Sequence, residues 1–377
     1  MNGSKNIFAI ISYPFLPATT GGEISTLQIL NYMGKVNQVT VFTVEPYKDV
    51  SHQKFDFELI FGMPFKATRY INIFLLPKII KLIKQHQSDA VFFDQPWFGW
   101  MIPFIRLFTG KKVFIRSNNI EYLRFKSMDK QWWPLMYMYE KFTYKVSNLV
   151  IFVSEAEQQK AIYEFDLNPE HTLHTPYGIP QLQKPELSAN ARQKLGELHS
   201  ILPGEKIILF FATMSYRPNY EAVEFIISQI YPKLKETATS PFKILICGKN
   251  LPANIIEKLK DKPEIIYAGF VAEIELYIDG ADVMINPILS GGGVKTKAID
   301  TLGRSQVVIS TRTGAEGIDP AVCGSNLIIC ENNNWSAFVK AINNQLHLNR
   351  PVIPQSFYDT YSWPHIIENL MQKLEKY

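Results

Sequence analysis

Short apolar runs dominated by Ile, Val and Phe recur along the chain at residues 6–12, 38–44, 89–94, 112–116 and 149–153, with helix-like stretches between most of them. Strands apolar on both faces need both faces covered, so this alternation predicts a parallel sheet with helices on each side. The pattern then restarts. Beyond Tyr177-Gly178-Ile179-Pro180 and a polar stretch, LQKPELSANARQKLGELHSILPGE, new strand-like runs lie at 206–212, 243–248, 264–268, 282–287, 306–310 and 326–330. A chain of 377 residues is too long for one typical core. We therefore expect an α/β protein of two Rossmann-like domains, residues 1–180 and 181–360, with a linker near 178–205. The halves share no sequence repeat, so the doubling is architectural. The closing segment, 361–377, is an amphipathic helix pattern with Ile366, Ile367, Leu370 and Leu374 on one side, able to pack on either domain.

The formal charge of +4 is small, and no basic cluster is dense enough for a nucleic-acid footprint. Cys247, Cys323 and Cys330 are odd in number and lack metal-ligand spacing, which suits buried thiols in a reducing, cytoplasmic setting. The N-terminus carries no apolar region of secretory type, and no apolar run approaches the ~18 residues that span a bilayer.

Residues 284–303, MINPILSGGGVKTKAIDTLG, place a strand, three glycines, two lysines and a carboxylate in one joint. Gly291, Gly292 and Gly293 let backbone N–H groups approach an anion without a Cβ in the way, and the helix that follows adds the positive end of its dipole. Lys295 contributes a full charge, and Asp300 could take a pair of ribose hydroxyls. The alternative is an ordinary strand–turn–helix joint in which the glycines merely make the turn. A second candidate anion cradle lies in YPFLPATTGGEISTLQILNYMG, where Gly21 and Gly22 stand just before a helix and Thr19 and Thr20 offer hydroxyls. It is not GxGxxG, so a dehydrogenase reading is weak.

With both loops placed, the chain resembles the retaining glycosyltransferase family 4, of GT-B fold. The resemblance runs through PFLPATTGGEISTLQIL, RSNNIEYLRF, SNLVIFVSEAE, TPYGIP, FFATMSYRPNYEAVEFI, ILICGKN, IIYAGFVAEIELYIDGADVMINPILSGGGVKTKAIDTLG and VVISTRTGAEGID, in order. It implies two Rossmann-like domains facing each other across a cleft, and metal-independent transfer of a sugar from a UDP- or GDP-sugar to a hydroxyl. No further cofactor is implied. The donor would bind the C-terminal domain, a glycan or lipid-linked acceptor the N-terminal one, and residues 361–377 would cross back onto the N-terminal domain. Thr20, Arg116 and Glu121 are the expected acceptor-side residues. Lys295 is the expected stabiliser of the leaving diphosphate and Arg217, in the SYRPN loop, the second cation. Lys297 is expected either on phosphate or in an ion pair with Asp300, three residues away. Gly269 and Val271 would lie against the nucleotide base.

Two departures stand out. Where the family commonly reads Arg-x-His-Asn-x-Glu, the chain has Asn118 in place of histidine, and asparagine cannot carry a proton as a general base. Gly292 stands where many members have a glutamate. Both leave room for a nucleotide-sugar-binding scaffold with reduced catalysis; an epimerase of the same fold would want an acid and a histidine that the candidate cleft lacks. Finally, residues 123–146 mix Arg124, Lys126, Lys130, Lys141 and Lys145 with Trp132, Trp133, Tyr137, Tyr139 and Phe142. Such a mixture suits peripheral membrane contact, or a core stripe with solvated lysines.

Overall fold

The computed structural model describes residues 4–18, 20–46 and 48–377. It divides into two compact units, Met1–Gly178 with Trp363–Tyr377, and Ile179–Ser362. Unit 1 holds β1 (Asn6–Ile11), β2 (Gln38–Val44), β3 (Glu58–Met63), β4 (Ala90–Asp94), β5 (Lys112–Ser117), β6 (Leu149–Phe152) and β7 (Thr172–His174) in one parallel sheet of order β3-β2-β1-β4-β5-β6-β7. Unit 2 holds β8 (Lys206–Phe211), β9 (Phe242–Cys247), β10 (Ile265–Gly269), β11 (Val283–Asn286), β12 (Val308–Thr311) and β13 (Leu327–Cys330) in a parallel sheet of order β10-β9-β8-β11-β12-β13.

Both sheets are apolar on two faces, as their sequences require. In unit 1, Phe8, Ile10, Val91, Phe93, Val113 and Ile115 bury into one core, while Ile7, Ala9, Ile11, Phe92, Phe114 and Ile151 bury into the other. Strand order reverses between β1 and β4 and again between β8 and β11. At such switch points the flanking loops part, and open α/β sheets bind ligands outside the strand carboxyl ends.

The sequence pattern misses β3 and β7. Both are edge strands; β3 is half exposed and β7 is three residues long, so neither shows a continuous apolar run. The polar stretch read as linker contains the helix Ala191–His199, which turns only Ala191 and Leu195 inward, onto the face of unit 2 that holds Ile207, Leu209 and Leu245. The final helix, Trp363–Leu374, packs on unit 1: Ile366, Ile367, Leu370 and Leu374 join Ile29, Leu30 and Met33 in one core. Each such side chain stabilises by about 1.5–3 kcal/mol when fully buried. A Cβ at Gly178 would sit 2.5 Å from the Trp363 ring, so only glycine lets the helix start seat there.

Candidate functional site

In unit 2 the candidate residues gather at the carboxyl ends of β8 and β11, the pair at the switch point. Gly291 and Gly293 adopt φ of +85° and +75°, a region that L side chains avoid, whereas Gly292 has open space around it. A Cβ at Gly291 would lie 2.6 Å from the Tyr216 hydroxyl and 2.8 Å from Pro218, so the glycine loop rests directly on the SYRPN loop. Lys295 Nζ reaches back to the carbonyl oxygens of Gly291 (2.9 Å) and Gly293 (2.7 Å) and clasps the loop. Lys295 is also the N-cap of the helix Thr296–Gly303, and its side chain makes no capping hydrogen bond. The opening N–H groups of Thr296 and Ala298 donate to the Val294 and Lys295 carbonyls at 3.1 and 2.9 Å, so the helix start offers an anion chiefly the positive end of its dipole. Asp300 lies on the same helix, just over one turn in.

Lys297 finds partners from the other loop. Its ammonium donates to Asn219 Oδ1 at 3.1 Å and lies over the Phe210 ring, 4.7 Å from its centroid. Burial, with Lys295 nearby as the lesser cause, brings its pKa down to about 7. Asn219 is fixed in turn by donating Nδ2 to the Thr213 carbonyl at 2.9 Å. Sequence reasoning passed over Asn219 because asparagine in a loop reads as turn chemistry; its place two residues after Arg217 was the available signal. Arg217 opens the helix Arg217–Phe225 with its side chain 77% exposed, and its Nε donates to Glu221 Oε1 at 2.6 Å. That pairing raises the arginine pKa. Glu221 Oε2 accepts from Ser290 Oγ at 3.0 Å, so one carboxylate joins Arg217 to the residue before the glycines. Gly269 ends β10 at φ +66°, on the carboxyl edge of the same sheet but with β9 and β8 between it and β11. The Val271 side chain packs on the core below.

The expected residues of unit 1 are placed differently. Gly21 and Gly22 are not a turn but the first two residues of the helix Gly21–Gly34. Thr20 is its N-cap: Thr20 Oγ1 accepts from Glu23 N at 3.4 Å and Thr20 N donates to Glu23 Oε2 at 2.9 Å, a capping box. Thr19 lies outside the described residues. Arg116 is fully buried and does not face an acceptor. Its Nη1 meets Asp94 Oδ1 at 3.2 Å and Thr26 Oγ1 at 3.3 Å, and its Nη2 donates to Ser25. Asp94 Oδ2 also accepts from Thr26 (2.8 Å) and Tyr13. The group pins the start of the Gly21 helix to the ends of β4 and β5.

Glu121 is likewise buried, with Oε2 2.9 Å from Arg124 Nη1; burial raises its pKa and Arg124 opposes the rise. It is the first residue of the helix Glu121–Ser127, whose opening N–H groups at Glu121 and Tyr122 are taken by the buried carboxylate of Glu140, at 2.8 and 2.7 Å. Burial pushes Glu140 up to about 8, against those N–H donors. Asn118, between β5 and this helix, is half-buried, with a buried Oδ1 that has no hydrogen-bond partner. Among the described residues, no group of three His, Cys, Asp or Glu side chains is placed to hold a metal ion.

Two parallel-sheet units of this strand order, one with a glycine-and-lysine cradle at its switch point, define the GT-B class of glycosyltransferase fold, and solved structures agree. A glycosyltransferase from Rickettsia africae ESF-5 superposes with a TM-score of 0.74 at 16% identity, over 100% of this chain and 99% of that one. Anabaena Alr3699/HepE, solved in complex with UDP and glucose, gives 0.72 at 11% identity over 99% and 100%. WaaG, a glycosyltransferase involved in lipopolysaccharide biosynthesis, gives 0.65 at 14% over 98% of each. The chain belongs to the group 1 and family 4 glycosyltransferases: residues 19–181 match "Glycosyltransferase Family 4" and residues 205–347 match "Glycosyl transferases group 1". An uncharacterized 44.6 kDa protein in the cps region of Klebsiella pneumoniae is 31% identical over 147 residues, which is 36% of the length of each chain.

Proposed function

We propose that the protein transfers a sugar, with retention and without a metal ion, from a UDP- or GDP-sugar to a hydroxyl of a glycan or lipid-linked acceptor in surface polysaccharide or glycolipid synthesis. One observation carries the reading: Gly291, Gly293, Lys295, Lys297 and the start of the Thr296 helix converge at the unit 2 switch point. Breaking a glycosyl–phosphate bond leaves a diphosphate of growing negative charge. Fixed cations and N–H donors stabilise that charge as it develops. Lys295 and Lys297 supply the cations here, and Arg217 can join them by releasing Glu221. Asp300 is assigned to the ribose and the backbone at Gly269 to the base. Asn118 holds a hydroxyl of the reacting sugar and moves no proton, so the leaving phosphate takes the acceptor proton. The Klebsiella relative in a cps region and the lipopolysaccharide role of WaaG support the polysaccharide assignment.

A peripheral seat on the inner face of the cell membrane belongs to the same reading. Within the helix Trp133–Val146, Trp133, Tyr137 and Tyr139 turn to the core, while Leu135, Met138 and Phe142 are exposed, as is Trp132 just before it. Lys141 and Lys145 share that helix. No helix among the described residues is long and apolar enough to cross a membrane.

A thermal-shift panel of UDP, GDP and their hexose conjugates, with and without EDTA, tests the donor reading, because a ligand that binds the native state raises its Tm. Stabilisation by one nucleotide series, unchanged by EDTA, is the expected result. A flat panel, or stabilisation abolished by EDTA, overturns it.

A further inference from the structure

The chain that follows β8 builds a socket for a side chain from the far side of the switch point. Phe210, near the end of β8, is fully buried in the unit 2 core, so its ring is fixed. Asn219 Nδ2 donates to the Thr213 carbonyl at 2.9 Å, and Asn219 N donates to the Tyr216 carbonyl at 3.0 Å. Asn219 is thus held by both its backbone and its side chain. Lys297, on the helix after β11, enters this socket: its ammonium donates to Asn219 Oδ1 at 3.1 Å and stands over the Phe210 ring.

The amide can face only one way. Turning it over would set its NH2 against the ammonium and its oxygen against the Thr213 carbonyl. Both partners of Lys297 are neutral, so they fix its position and leave its charge unspent. An aspartate at 219 would accept the same hydrogen bond but would cancel the cation. The ammonium carries three donors and Asn219 takes one, which leaves capacity for phosphate oxygens. The charged groups nearest along the two elements are Lys295, which opposes the Lys297 charge, Asp300 three residues on, and Arg217 and Glu221, which bond to each other at 2.6 Å.

We propose that Asn219 is a positioning residue of the transfer site, a role that rests on the transferase reading above: it holds the Lys297 ammonium ready for the donor diphosphate without neutralising it. Two requirements meet at this one amide. Partial burial works against the ammonium, and an acceptor that bonds the charged form works for it. A carboxylate in the same place would meet the first requirement and fail the second, because it would also repel the phosphates. Asn219 therefore joins the two loops of the switch point through a hydrogen bond whose neutrality is its function.

The test follows the Lys297 ammonium directly, by NMR of the full chain carrying 13C at lysine Cε, titrated with pH in the absence of nucleotide. Loss of one signal in Lys297→Met identifies it. Asn219→Ala removes an acceptor and should lower the titration midpoint, whereas Asn219→Asp adds a carboxylate and should raise it by at least about one pH unit. A residue that merely held the loop together would move both midpoints the same way or neither. Calorimetry with UDP then reads the consequence. At pH 7 the affinity of Asn219→Ala should fall about fivefold, with the gap to wild type narrowing at pH 6 as Lys297 regains its proton. Asn219→Asp should stay at least about fivefold weaker at both pH values. Midpoints that coincide in all three proteins, or UDP affinities within about twofold of wild type in both variants, overturn the proposal. If the wild type binds neither UDP nor GDP while the midpoints still move in opposite directions, the donor reading fails and the hold of Asn219 on Lys297 stands.

Discussion

The ammonium of Lys297 stands 4.7 Å from the centroid of the Phe210 ring, and no carboxylate partner is needed to hold it there: the ring face and Asn219 do so. Desolvation then makes the charge of this lysine depend on what else enters the site. Its pKa near 7 leaves it part neutral before a ligand arrives.

Nucleotide diphosphate affinity should consequently fall as pH rises above about 7, by up to about tenfold per pH unit for the one proton involved. The sign for stability is opposite. The unfolded lysine keeps its proton to about 10.5 and the folded one releases it near 7, so this group makes the free protein more stable as pH rises across that window. Calorimetric titration with UDP at several pH values, beside thermal melts of wild type and Lys297→Met, checks both; a pH-independent UDP affinity in the wild type contradicts the first.

Lys295→Ala should reduce UDP affinity by roughly 10–100-fold, the worth of a charge-assisted hydrogen bond of about 1.5–3 kcal/mol. It should also abolish transfer while the circular dichroism spectrum stays native. Full turnover at saturating donor would refute its role.

Adjacent glycines should separate cleanly. Gly291→Ala meets both a left-handed backbone, about 1–2 kcal/mol, and contacts with Tyr216 and Pro218. Gly292→Ala meets nothing within 4 Å. UDP affinity and Tm should drop for the first and stay within error for the second.

Removing Arg116 leaves Asp94 buried without its cation, which typically costs about 3–5 kcal/mol. Urea unfolding of Arg116→Met should show a loss of that order. A change within 1 kcal/mol would mean that Thr26 and Tyr13 suffice for Asp94.

Glu140 makes stability fall with pH. Its folded pKa near 8 exceeds the ordinary 4.5, so the folded state holds a proton that the unfolded state has released. The stabilisation is complete below about 4.5 and is lost as pH rises to about 8. Glu140→Gln should flatten this part of the curve, measured as Tm against pH from 4.5 to 8.5. A wild-type curve that rises through this range, with no change in the variant, would exclude it.

Central strands were legible because burial on both faces writes itself as uninterrupted Ile, Val and Phe; β3 and β7, at a sheet edge, carry no such mark. The glycine loop and its lysines were legible too, since few other joints need three glycines before a cation. Partnership was not. Arg116 and Glu121 read as acceptor-side residues, yet Asp94 and Arg124 hold them; Arg124 stands three residues from Glu121 at helical spacing, but nothing local marks Asp94, 22 residues from Arg116. Nothing in the sequence singles out Glu140, whose carboxylate caps a helix 18–19 residues upstream. The left-handed backbone at Gln95 contradicts its residue type, so propensity points away from it.

The final helix also sets an order of events during synthesis. Ile366, Ile367, Leu370 and Leu374 belong to the core of unit 1, but the ribosome makes them only after every residue of unit 2. Unit 2 is one unbroken stretch of chain and can close by itself as it emerges. The first-made half must wait for the last-made helix, leaving the Gly21 helix with an uncovered apolar side until then. Emergence of the Trp363 helix, not of the first 178 residues, is the moment at which unit 1 can become native.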